Sequence, residues 1–243
     1  MNAPLLEVRD LHVWFDLDRG DRLHALEGVG FAVDRGEGLG LVGGSGSGKT
    51  TAILALMGLL PPTATVRGEV LLAGENLLAR GEDSVRPHRW KDIAMVFQGA
   101  MNAFSPVATI GRQIAEPMLL HGTLTRRAAE RKVGELLELV GIAPARAARY
   151  PHEFSGGMRQ RAAIAMALAC DPRVLLADEP TTALDVIVQA QVLELIERLR
   201  RELGLAVVFV SHDLPVVAQV CDRIAVMRAG RIERLGAVEE VLT

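Results

Sequence analysis

Residues Gly43 to Thr51 read GGSGSGKTT, and the spacing Gly43-x-x-x-x-Gly48-Lys49-Thr50 is that of a phosphate-binding loop. Each residue type suits that chemistry. Glycines let backbone N–H groups close around phosphate oxygens where a Cβ would obstruct them, so Gly43, Gly44, Ser45, Gly46, Ser47 and Gly48 form the cradle. Lys49 supplies the charge for the β and γ oxygens, the Thr50 hydroxyl can ligate Mg²⁺, and Thr51 completes the loop. The flanks agree, with a short apolar run, Leu39 to Val42, before the loop and a helical pattern after it. Gly38-Leu39-Gly40-Leu41-Val42-Gly43 also matches the dinucleotide fingerprint, but its middle is strand rather than a strand-to-helix turn, and it is rejected.

RVLLADEP ends an apolar strand in two acids, Asp178 and Glu179. Charge at the end of a buried strand is costly unless it is paired or bound to metal. A nucleotide-bound Mg²⁺ supplies the reason: Asp178 would hold the metal through its waters and Glu179 would polarise the attacking water. VVFVSHD has the same form and delivers His212 to the carboxyl edge of a strand, as a γ-phosphate contact. Gln98, closing IAMVFQ, stands where a third strand meets a helical region and could bridge Mg²⁺ or water to it.

FSGGMRQR, Phe154 to Arg161, is a second helix start suited to an anion. Ser155 there also reads as an ordinary N-cap. Two such starts in one chain mean either two ligands or one ligand held by two chains.

Strands carry these groups to their places. LLEVRDLHVWFDL, LHALEGVGFAVD and GEVLLAGENLL read as strands or strand pairs. The helix after the phosphate loop is expected to close at Pro61-Pro62, and DIAMVFQ reads as a buried strand. From Met101 to about Ala169 the period turns helical, through TIGRQIAEPMLLHG, TRRAAERKVGELLELVG and GMRQRAAIAMALA. Strand and helix then alternate through RVLLAD, VIVQAQVLELIERLRREL, AVVFVS, LPVVAQVC and RIAVMRAGRIERLG. That alternation implies an α/β core with a mostly parallel sheet, interrupted by a helical insertion. The division expected is a single domain over 1–243, with a core at about 1–98 and 168–243 and a helical subdomain at about 99–167.

Composition narrows the function classes. Of the 243 residues 49% are apolar, enough for a sizeable core, but only 4% are aromatic, so Leu, Val, Ala and Ile must build it. A net charge of −3 with a pI near 6.1 lacks the basic stripe of a nucleic-acid surface. Cys170 and Cys221 form no CxxC and read as reduced core thiols of a cytosolic protein. No apolar run approaches the roughly 18 residues that suggest a membrane span, and MNAPLLEVRD lacks a signal-peptide layout, so a soluble chain is expected that reaches a membrane only through a partner.

The phosphate loop, Gln98, FSGGMRQR, LLADEP, TTALD and FVSHD, in this order, resemble the nucleotide-binding subunit of an ABC transporter over essentially the whole chain. The resemblance implies a P-loop ATPase core with an N-terminal antiparallel β subdomain and the helical insertion, working with ATP and Mg²⁺. It also implies that Ser155, Gly156 and Gly157 face the ATP of a second ATPase subunit, identical or paralogous, which resolves the two helix starts as one ligand shared by two chains. Asp185 resembles the residue that touches the partner's phosphate loop, and also reads as an N-cap. Phe15 matches the aromatic that stacks on adenine; strand alternation turns only one of Trp14 and Phe15 inward, and Phe15 is the choice. Two transmembrane permease subunits, and indirectly an extracytoplasmic solute-binding protein, are the implied partners at the cytoplasmic face of the membrane.

Phe154, Met158, MNAFSPVATIGRQIAEPM and TTALDVIVQAQVLELI are similar to the oligopeptide, dipeptide and nickel importers, which implies uptake of peptides or a nickel chelate. Gly99-Ala100 departs from the acidic residue and proline of many relatives. Members usually continue past AVEEVLT into an extension often rich in cysteine, so the sequence is read as shortened or as a short member. An exporter engine would carry Leu and Gln in place of Phe154 and Met158. A non-transport ABC ATPase acting on DNA or ribosomes would need a coiled-coil insertion, zinc modules or a second cassette.

Overall fold

The computed structural model describes residues 3–17, 20–100 and 103–242; Met101 and Asn102, within the importer-like stretch, lie outside the described residues. The chain forms two compact units, residues 1–89 with 200–243, and residues 90–199.

The first unit holds an antiparallel sheet ordered β2-β1-β4-β5, from β1 (Leu6–Asp16), β2 (Arg22–Val33), β4 (Ala64–Leu72) and β5 (Glu75–Asn76). Alternation decides its faces. Leu6, Val8, Leu11 and Val13 are buried along β1, and each pairs with an apolar residue of β2 such as Val33, Phe31, Val29 or Leu26. Burying side chains of this size contributes roughly 1.5–3 kcal/mol each. β4 begins at Ala64, earlier than the apolar pattern suggests, because Ala64, Thr65, Val66 and Arg67 pair across from Phe15, Trp14, Val13 and His12.

The same unit carries β3 (Gly38–Val42), flanked in parallel by β8 (Ala206–Ser211) and β9 (Arg223–Arg228), with β10 (Arg231–Ala237) antiparallel to β9. Every residue of β3 and β8 is buried, the reading expected of strands covered on both faces. Between β3 and β4 lies α1 (Lys49–Leu56). It ends well before Pro61-Pro62, because Gly58 at φ +60° closes a Schellman turn in which the Gly58 and Leu59 N–H groups donate to Ala55 O and Leu54 O. Two short helices without a clear sequence signal, α2 (Glu82–Val85) and α8 (Val238–Leu242), and the helix α7 (Leu214–Val220) complete the unit.

The second unit pairs β6 (Ile93–Val96) in parallel with β7 (Val174–Asp178). Between them come α3 (Ile110–Leu120), α4 (Arg126–Leu139) and α5 (Gly156–Ala167), with 3-10 turns at Pro144–Ala148 and Pro151–Glu153. Ile110, Ile114 and Met118 of α3 and Ala129, Val133, Leu136 and Leu137 of α4 are buried at helical spacing, which is why these segments lie against each other and against α5. α6 (Val186–Leu203) follows β7. The fold is thus the expected one, α/β with parallel strands, an antiparallel β region and inserted helices. Cys221 is buried and Cys170 half-buried, and burial pushes both thiols up.

Candidate active site

In the first unit the phosphate loop turns between β3 and α1 as its spacing requires. Lys49 is only 7% exposed, and its ammonium donates to Gly43 O at 2.8 Å and Gly44 O at 3.0 Å, with Ser47 Oγ at 3.5 Å. These partners are neutral dipoles, so the cation remains a counter-charge for an anion. The four glycines have different reasons. A Cβ on Gly43 would overlap the Met227 carbonyl, and one on Gly48, at φ +101°, would meet Leu26 Cδ2 at 2.6 Å. Gly46 needs φ +75°, whereas a Cβ on Gly44 would meet nothing within 4 Å. The loop is therefore glycine-rich partly through packing against its own fold. Gly44, Ser45, Gly46 and Thr50 are exposed, Thr51 is half-buried, and Ser47 is 5% exposed.

His212 follows Ser211 at the carboxyl end of β8 and is exposed. Asp213 accepts from Val216 N at 3.4 Å and so caps α7. Trp14 and Phe15 are both half-buried and have different neighbours. Trp14 stacks on His24 at 4.6 Å and on His12 at 5.4 Å, with the Arg22 and Arg67 guanidinium groups 5.4 and 5.5 Å from its ring. Phe15, opposite Leu23 and Ala64, is half-buried and makes no ring stack among the described residues.

In the second unit β7 delivers Asp178, 2% exposed, and then Glu179. Glu179 adopts φ +44°, a left-handed conformation uncommon outside glycine. Gln98, on the turn after β6, donates from Nε2 to Glu179 Oε2 at 3.1 Å, so the structure joins two residues that the sequence placed only on separate strand ends. Thr182, which lies in the TTALD stretch but was given no role of its own, donates from Oγ1 to the same oxygen at 2.9 Å. The signals available for it were a hydroxyl three residues beyond a strand-end acid and its place in TTALD.

Ser155 caps α5, accepting from Met158 N at 3.3 Å, and Asp185 caps α6, accepting from Val188 N at 2.9 Å. Both caps agree with the sequence reading. Ser155 and Asp185 are exposed, as are Val186 and Ile187 beside them, whereas Gly157 is buried against Val188. Before Ser155 the Glu153 carboxylate accepts from Tyr150 N–H and from Arg149, each at 2.8 Å, which holds it below the usual carboxylate range.

Comparison with known proteins supplies a family context. Residues 26–182 match the family model described as ABC transporter. The chain is 47% identical over 241 residues to the oligopeptide transport ATP-binding protein OppD of Bacillus subtilis, covering 98% of this chain and 67% of that protein. A probable peptide ABC transporter ATP-binding protein of Sinorhizobium fredii is 52% identical, with 98% and 72% covered. Among solved structures, an ATP-binding cassette captured as a dimer in a post-hydrolysis state with ADP and Pi superimposes with a TM-score of 0.83 at 29% identity, covering 96% of this chain and 98% of that one.

Proposed function

Since the chain belongs to the ABC transporter family and is one of its ATPases, we propose that it powers the import of peptides through partner permease subunits. The observation that carries the catalytic part is the buried Lys49 ammonium, turned into a phosphate-loop cradle and met there by neutral dipoles. Such a cation favours the β and γ phosphates of ATP over water. Loop N–H groups from Gly43 to Thr51 bind the remaining oxygens, and Phe15 stacks on adenine.

Thr50, Gln98 and, through waters, Asp178 would hold Mg²⁺. A hydroxyl, an amide and a carboxylate are hard oxygen donors and fit that ion. Among the described residues no group of three or more His, Cys, Asp or Glu could hold a metal, and an ion bound mostly by phosphate oxygens needs none. Bound there, the ion would neutralise phosphate charge. Glu179 takes the proton of the attacking water as general base, and His212 steadies the γ-phosphate. Ser155, Gly156, Gly157 and Asp185 act on the ATP of a second ATPase chain, identical or related.

No helix among the described residues is long and apolar enough to cross a membrane. The path for solute belongs to the permease subunits of this proposal, at whose cytoplasmic face the chain works. Residues 99–167 act as a helical subdomain that, with the stretch after Gln98, docks on them; a solute-binding protein serves the complex from the other side, and nucleic acid takes no part. The test uses vesicles holding the complete transporter. Labelled oligopeptide should accumulate only with ATP, and Glu179→Gln should abolish both turnover and uptake while retaining ATP in a stable dimer. Near-normal turnover by Glu179→Gln would remove the assigned base, and ATP-driven uptake of a nickel chelate but no peptide would reassign the cargo.

A further inference from the structure

Glu179 is tied to its turn twice. Its carbonyl accepts from the Thr182 N–H at 3.1 Å, and its Oε2 accepts from the Thr182 hydroxyl at 2.9 Å. The second donor to Oε2, Gln98 Nε2 at 3.1 Å, comes from 81 residues away in sequence. The two donors therefore differ in kind: one belongs to the local turn, the other to the loop that leads into the helical segment. Glu179 itself is held at φ +44°. Such a backbone is strained and persists where its surroundings over-determine it.

We propose that Thr182 is a positioning residue for Glu179, whose hydroxyl fixes the rotation of the carboxylate and makes Oε2 the anchored oxygen. This inference rests on the reading of Glu179 as the general base. The terminal torsion of a glutamate is broad and nearly two-fold, so the carboxylate plane needs an outside donor to set it. Gln98 is a less dedicated donor, since its amide is also assigned to metal and water. Thr182 has no such second duty, and its own N–H bond to the Glu179 carbonyl keeps the hydroxyl within reach. Thr182 thus holds the orientation of the base from within its own turn, whatever else the Gln98 amide binds.

The experiment measures kcat and KM for ATP, with the unfolding temperature of each variant, in the assembled transporter. Thr182→Val keeps the shape and removes the donor; Thr182→Ser keeps the donor. Thr182→Val should lower kcat about 10- to 100-fold, the range carried by a hydrogen bond to a charged group. Its KM should stay within about twofold of wild type, because an interaction made chiefly in the transition state lowers kcat rather than raising KM. Thr182→Ser should turn over near the wild-type rate. Wild-type kcat in Thr182→Val beside an inactive Glu179→Gln overturns the role of Thr182 and leaves the base standing. Near-normal turnover in Glu179→Gln overturns both. A fall in kcat that Thr182→Ser does not restore, or one accompanied by a raised KM and a lowered unfolding temperature, marks an architectural role and also overturns the proposal.

Discussion

Val188 occupies the space that a β-carbon on Gly157 would need: a Cβ built there would overlap Val188 Cγ1, with Val188 Cβ and Cγ2 at 3.6 Å. The residue at the start of α5 is thus a glycine because of a side chain on the first turn of α6, beside the Asp185 cap. Gly157→Ala sets two effects against each other. Alanine favours a helix by about 1 kcal/mol over glycine, but overpacking costs about 1–3 kcal/mol. Val188 is β-branched and holds one main rotamer in a helix, so it cannot swing away cheaply. Gly157→Ala should therefore lower the unfolding temperature by a few degrees, and Val188→Ala in the same chain should restore it. Melting of the single and double variants checks this; an unchanged single variant would contradict it.

Lys49→Ala removes the buried cation, and with it the donor to Gly43 O and Gly44 O. ATP affinity should fall by about two orders of magnitude or more, as loss of a charge-assisted phosphate contact implies. Glu179→Gln, by contrast, should bind ATP nearly as well as wild type. Equilibrium titration with ATP separates the two, and equal affinities in both variants would show that Lys49 is not the phosphate counter-charge.

Sharing of the site between chains has a direct test. Lys49→Ala disables the loop in one chain, and Ser155→Arg disables the α5 start in another. If each chain built its site alone, every site in the mixed dimer would be broken. If the sites are shared, both lesions fall on one site and the other becomes intact. One ATP should then be trapped per mixed dimer and none in either homodimer. Ser155→Arg also removes a cap worth about 1 kcal/mol, so folding of that chain is checked by melting. Should the partner ATPase be a related chain, the lesions are divided across that pair. A verified mixed dimer that traps no ATP rules out sharing.

Glu153 links acidity to the approach of this same segment. Its carboxyl is depressed, first by the Tyr150 N–H and then by Arg149. A depressed acid contributes stability that is fully present above its ordinary value of 4.5 and is lost as pH falls through the lower folded value. Wild type should therefore melt above Glu153→Gln at pH 6 to 7, and the gap should close as pH falls below about 4.5. A gap that persists unchanged into strong acid would show that the glutamate acts through packing rather than charge.

Local patterns carried much of this protein. The phosphate loop follows from spacing and flanks, the buried strands from apolar runs, and the caps at Ser155 and Asp185 from residue type next to a helical period, because each depends on neighbours within a few residues. Other features depend on residues that meet only after folding. Gly43 and Gly48 are small because of Met227 and Leu26, and Gly157 because of Val188. The Glu179 carboxylate takes donors from Gln98, far off in sequence, and from Thr182, to whose hydroxyl the TTALD pattern alone assigns no partner. Periodicity records which face of an element is buried, but not which side chain lies across from it. That pairing is decided by packing, where a methyl group or a single oxygen fixes the position of the residue that acts.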